Sequence, residues 1–75
     1  MFEKKIKFAD TNDVKDFVRA AENCDFDINV YYYSTCIDAK SLLGMIYLGS
    51  RKELTVQYGH EDATFESVLG KYAIA

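Results

Sequence analysis

Apolar and polar side chains alternate, or recur at helical spacing, along almost the whole chain, and the pattern divides it into seven elements. Phe2, Ile6 and Phe8 share one face of residues 2–8, with Glu3, Lys5 and Lys7 on the other. Period-two alternation marks a half-buried strand. Lys4 interrupts it, so the spacing predicts a strand that is regular only from Lys5 onward. Asp10, Thr11 and Asn12 are three consecutive candidate N-caps, residue types whose short side chains accept from the free N–H groups of a first turn. Val14, Phe17, Val18 and Ala21 follow at i, i+3, i+4, i+7 and predict a first helix over Asn12 to Asn23.

Phe26, Ile28, Val30 and Tyr32 alternate with Asp27, Asn29, Tyr31 and Tyr33, which is the clearest strand pattern in the chain. The spacing predicts a turn at Ser34-Thr35 and a short third strand around Cys36–Asp38. Ser41 is placed to cap a second helix over Leu42–Leu48, and Gly49 to end it. Leu54, Val56 and Tyr58 alternate with Glu53, Thr55 and Gln57 as a fourth strand. Phe65, Val68, Leu69 and Tyr72 predict a third helix beginning near Asp62. Strands with a polar second face belong to an antiparallel sheet covered on one side. The order βαββαβα is therefore read as an α+β, open-faced two-layer sandwich. Its expected core is Phe8, Val14, Phe17, Val18, Ile28, Val30, Ile37, Leu54, Val56, Val68 and Leu69. Tyr31 and Tyr33 are expected on the open face, as cover for the sheet or a dimer contact, and Tyr32 on the core face.

Seventy-five residues with no linker or repeat read as a single domain, 1–75. Twelve acidic against nine basic side chains give a net charge of −3. The only basic groupings are Lys4-Lys5 with Lys7, and Arg51-Lys52, which argues against a nucleic-acid partner. No apolar run is long enough to cross a bilayer and no signal-peptide pattern opens the chain, so the expectation is a cytoplasmic protein without membrane attachment. Cys24 and Cys36 fit no Cys-x-x-Cys spacing and are read as reduced thiols, a single disulfide between them being the alternative. His60 sits in the turn-like run Tyr58-Gly59-His60-Glu61-Asp62 and is read as an exposed turn residue. No metal or cofactor set is evident.

The run Lys40-Ser41-x-x-Gly44, with Leu48-Gly49 behind it, is similar to the second-helix signature of HPr. HPr is the histidine-containing phosphocarrier family of the bacterial sugar phosphotransferase system. The resemblance covers essentially the whole chain, and implies a sheet order of 1-4-2-3 with three helices on one face. It also implies a non-enzymatic protein, monomeric or weakly dimeric, whose partners are phosphotransferase-system or regulatory proteins. Counted back from Ser41 without a gap, the family's phosphoacceptor histidine falls on Asp10, its arginine on Asn12 and its proline on Asp13. The chain has no proline, and its one histidine is His60. A phosphohistidine at a helix start is stabilised by free N–H groups and the helix dipole. Here Asp10, Asp13 and Asp16 occupy that region and complement the dipole themselves.

The resemblance thus implies a divergent member with a degenerate acceptor site, acting as a regulatory or protein-binding module. One alternative is a phosphotransferase component by kinship. Another is a metal-assisted aspartyl-phosphate acceptor at Asp10, with Asp13 and Asp16 gathered round the ion. Ser41 is the counterpart of the serine that a kinase phosphorylates in the Gram-positive branch, besides being a good N-cap. Leu42, Leu43, Ile46 and Tyr47 match the family's partner-docking positions, and Lys40 is placed to position a partner's carboxylate. The second helix carries more apolar groups than one core-facing stripe can use, so part of it is expected to be exposed. Lys40, Arg51 and Lys52 are otherwise read as a solvated face.

Overall fold

A computed structural model describes residues 1–74. In chain order it has strand β1 (Phe2–Ile6), helix α1 (Thr11–Glu22), strands β2 (Ile28–Tyr32) and β3 (Thr35–Asp38), helix α2 (Leu42–Leu48), strand β4 (Leu54–Tyr58) and helix α3 (Ala63–Tyr72). The strands form one antiparallel sheet in the order β1-β4-β2-β3, with the three helices on one face. The layers and the sheet order are those expected.

The register sorts the side chains into rows. Lys4, Val56, Val30 and Ile37 pair across the sheet on the helix side, and Lys5, Thr55, Tyr31 and Cys36 pair across the open side. Ile6, Phe8, Phe17, Ile28, Val30, Leu54, Val56, Tyr58, Phe65 and Leu69 are all at most 1% exposed and make the centre of the core. Phe8 and Phe65 flank Phe17 with ring centroids 5.4 and 5.7 Å away, at tilts that favour aromatic pairs. Apolar burial of this kind supplies most of the stability of so small a domain.

Several local expectations are corrected. β1 begins at Phe2 and stops at Ile6: pairing with β4 over Leu54–Tyr58 sets its length, and Lys4 is tolerated because an edge strand leaves its side chain exposed. Phe8 is buried from the loop beyond β1. α1 starts at Thr11 because Asp10, not a later residue, takes the cap. The β2–β3 turn is Tyr33-Ser34, one residue earlier than predicted, since Tyr32 pairs with Thr35 and Tyr33 turns through φ +53°. Tyr33 therefore stands on the hairpin tip rather than on the open face. Ile37, on the edge strand β3, and Val68 are only half-buried and pack against the core from its margin.

Gly44 has a packing reason. A Cβ there would come within 2.8 Å of Ile37 Cγ2, so the missing side chain lets α2 lie close on β3. Cys24 is buried and Cys36 exposed, and both thiols are free. No helix among the described residues is long and apolar enough to cross a membrane.

Candidate functional site

The start of α1 is closed by its own side chains. Asp10, in extended conformation, caps the helix by accepting from the Asp13 N–H at 3.1 Å. Asp13 reaches back and accepts from the Ala9 N–H at 2.9 Å. The two carboxylates thus satisfy two donors reciprocally, in the manner of a capping box displaced by one residue. Asn12 is exposed and brings no positive charge. One turn on, Asp16 Oδ2 accepts from the Tyr72 hydroxyl at 2.6 Å and lies 3.3 Å from Lys71 Nζ, tying α1 to α3. The three carboxylates are engaged separately, and no grouping of three His, Cys, Asp or Glu side chains suited to a metal ion occurs among the described residues.

The Tyr72 hydroxyl, and after it the Lys71 ammonium, hold the Asp16 carboxyl below the usual carboxylate range. Burial, and then the Asp16 carboxylate, push the Tyr72 hydroxyl upward. A depressed carboxyl contributes stability above its unfolded value, about 3.9, that is lost as pH falls through the folded value. A raised phenol contributes stability below its unfolded value, about 10, that is lost as pH rises through the folded one. Tyr72→Phe is therefore expected to cost about 1 kcal/mol between roughly pH 4 and 10, discounted for the solvent access of Asp16. Urea unfolding across pH checks this, and the difference from wild type should shrink at both edges of the window.

Ser41 caps α2, its Oγ accepting from the Gly44 N–H at 3.2 Å, and the residue is exposed. The other end of the helix is closed by Lys52, whose Nζ donates to the Leu48 carbonyl at 2.9 Å. Only Met45 and Leu48 of this helix are buried. Leu43 and Tyr47 are 83% and 82% exposed, and Leu42 and Ile46 about 40%. A seven-residue helix has two turns, so its buried seam takes two large side chains and the remainder must face water. Lys40 is half-buried at the approach to this helix, its backbone N–H held by Asp38.

The chain superposes on the crystal structure of HPr-C-His from Thermoanaerobacter tengcongensis with a TM-score of 0.76, at 18% identity, over 95% of this chain and 93% of that one. The fold is HPr-like. No protein-family model and no curated protein sequence matches the chain. Within the HPr-like fold, the α1 start and α2 are the two places where the sequence resemblance puts acceptor and docking residues. α1 and α2 pack against one another. His60 lies elsewhere, exposed, with its ring 5.4 Å from that of Phe26.

Sequence reasoning missed one cluster. Lys5, Lys7, Arg51 and Lys52, read as parts of separate basic groupings, line a single cleft of about 660 Å³ at one end of the sheet, together with Tyr31, Tyr32 and Tyr33. The alternation that puts Lys5 and Lys7 opposite the core was visible. Their meeting with the Arg51-Lys52 loop depends on β1 and β4 being neighbours.

Proposed function

We propose that this chain is an HPr-like protein-binding module, not an enzyme, that carries no phosphate on histidine and docks a partner protein through α2. The exposed cluster of Leu42, Leu43, Ile46 and Tyr47 carries the reading. Four large apolar side chains facing water on one short helix of a small domain are costly unless something covers them, and such patches commonly mark interaction sites. The resemblance to HPr supplies the partner class, a phosphotransferase-system or regulatory protein, and with it a bacterial cytoplasm. Asp10 adds a permanent negative charge where the family carries a transient phosphate. The imitation is crude, one charge and two oxygens against nearly two charges and three oxygens.

Docking through a small apolar cluster with a charged rim gives a dissociation constant on the order of micromolar and a modest salt dependence. Leu43→Asp should weaken the complex by about tenfold or more, as truncating or charging a central contact does. The fold should survive, since Leu43 is 83% exposed and an acid in the first turn suits the helix dipole. Calorimetry on partner captured with the wild-type chain, repeated with Leu43→Asp and Ile46→Asp, is the test. Undiminished binding by both variants would move the docking face elsewhere.

Ser41 belongs to the same proposal as a regulatory phosphorylation site. A bacterial HPr-type kinase with ATP should label the chain, and Ser41→Ala should abolish the label. The modified domain should stay folded, because a phosphate at the start of α2 sits at the favourable end of the dipole. Unfolding on phosphorylation, read by circular dichroism, would contradict this placement.

A further inference from the structure

The open end of the sheet holds a second site, joined to α2 through Lys52, whose Nζ donates to the Leu48 carbonyl. Two basic stretches that lie more than forty residues apart in the chain are brought to one cleft by the pairing of β1 with β4. Lys5 stands on the open-face row with Thr55 and Tyr31, and Lys7 and the loop residues Arg51 and Lys52 complete the rim. Four of the nine cationic side chains of a net-negative protein thus share one cleft with a single carboxylate, Glu53, a local excess of three positive charges. None of the four takes part in a salt bridge among the described residues, where the one ion pair joins Lys71 to Asp16. Like charges in excess of their counter-charges destabilise the free protein, and an arriving polyanion removes that penalty.

The aromatic side of the cleft is equally specific. Tyr33 is 88% exposed on the hairpin tip, its ring braced edge-on against Tyr32 with centroids 4.7 Å apart. Lys52 Nζ sits 5.0 Å from the centre of the Tyr32 ring, so Tyr32 is fixed between a cation and its neighbour. Tyr33 and Arg51 are also the two non-glycine residues with left-handed backbone among the described residues, at φ +53° and +65°. For bulky side chains that conformation costs energy and concentrates at functional sites. The Arg51 loop is pinned in place by its N–H, which donates to the Phe8 carbonyl at 2.7 Å. Both strained residues line the same cleft.

We infer that this cleft binds a nucleoside phosphate. The cations of the cleft suit the phosphates, and an exposed, braced tyrosine ring offers a stacking platform that accepts any base. Glu53 provides an acceptor for a sugar hydroxyl or an exocyclic amine. A volume of about 660 Å³ lies in the range of small-molecule sites. An acidic peptide would use the cations and leave the tyrosine platform without a role.

The test is amide chemical-shift titration of the whole 75-residue chain with ADP, inorganic pyrophosphate, adenosine, a short oligoglutamate and a short oligonucleotide. ADP should shift Lys5, Tyr31, Tyr33 and Thr55 and leave the exposed start of α2, Leu42 and Leu43, unmoved, and should bind tighter than pyrophosphate or adenosine alone. Tyr33→Gly, which accepts the left-handed backbone, should weaken ADP about tenfold and leave pyrophosphate unchanged, as loss of one stacked base predicts. Lys5→Glu should weaken both about tenfold, with Lys7→Glu in its place should that variant lose the native spectrum. Equal binding of ADP and pyrophosphate, with Tyr33→Gly without effect, would reduce the site to a bare anion patch and overturn the inference. So would tighter binding of the oligoglutamate or the oligonucleotide, or the absence of cleft shifts at millimolar ADP.

Discussion

Replacing Phe17 with alanine is expected to destabilise the domain by about 3–5 kcal/mol, the usual range for deleting a buried aromatic ring. Phe17 is fully buried on α1, between Phe8 from the loop after β1 and Phe65 from α3. Phe65 in turn meets Tyr58 of β4 edge-on at 5.3 Å and Phe26 at 6.5 Å. The ring therefore joins both layers, and the cavity left by its removal is flanked by the Phe8 and Phe65 rings. A domain of this size is stable by roughly 5–10 kcal/mol in all. The loss should lower the thermal midpoint by about 12 °C or more. Calorimetric melting of Phe17→Ala checks it, and an unchanged midpoint would show that Phe17 is not in the core.

Incubated with enzyme I and radiolabelled phosphoenolpyruvate, the chain is expected to take up no label. The reason lies at the start of α1. A phosphohistidine there depends on an imidazole, on free backbone donors and on a nearby cation. Asp10 holds the cap position, its carboxylate occupies the Asp13 N–H, and Asp13 occupies the Ala9 N–H. Asn12 adds no charge. A phosphoryl group approaching this turn would meet two carboxylates, with the dipole already complemented. Acid-labile label mapping to His60 or Asp10 would overturn the expectation. The result bears on the proposed docking role as well, since a chain that accepts phosphate would be a carrier first.

Element order and most boundaries could be read from single residues. Ser41 and Gly49 bracket α2 because a cap needs a side-chain acceptor and a stop needs a backbone free to turn, and both requirements are local. The alternation in β2 and β4 likewise follows from one face being wet and one dry. The order of the strands came from the resemblance of the Lys40–Gly49 run, not from periodicity. Tyr33 stands on the hairpin tip, not the open face, because register is settled by the pairing of Tyr32 with Thr35, which depends on both strands at once.

The chemistry of the candidate sites divides the same way. Composition and helical period, which need no partner element, suffice to show that α2 has more apolar residues than its seam can bury, whereas Asp10 is set against the acceptor position only by the resemblance to HPr. Which of those apolar residues face water, the hold of Asp13 on the Ala9 N–H and the engagement of Asp16 by Tyr72 and Lys71 all depend on how the elements pack. Only the tertiary structure gathers Lys5, Lys7, Arg51 and Lys52 around three tyrosines. Such meetings are long-range: they are fixed by which strands become neighbours, and the free energy that selects the neighbours is spread over the whole core.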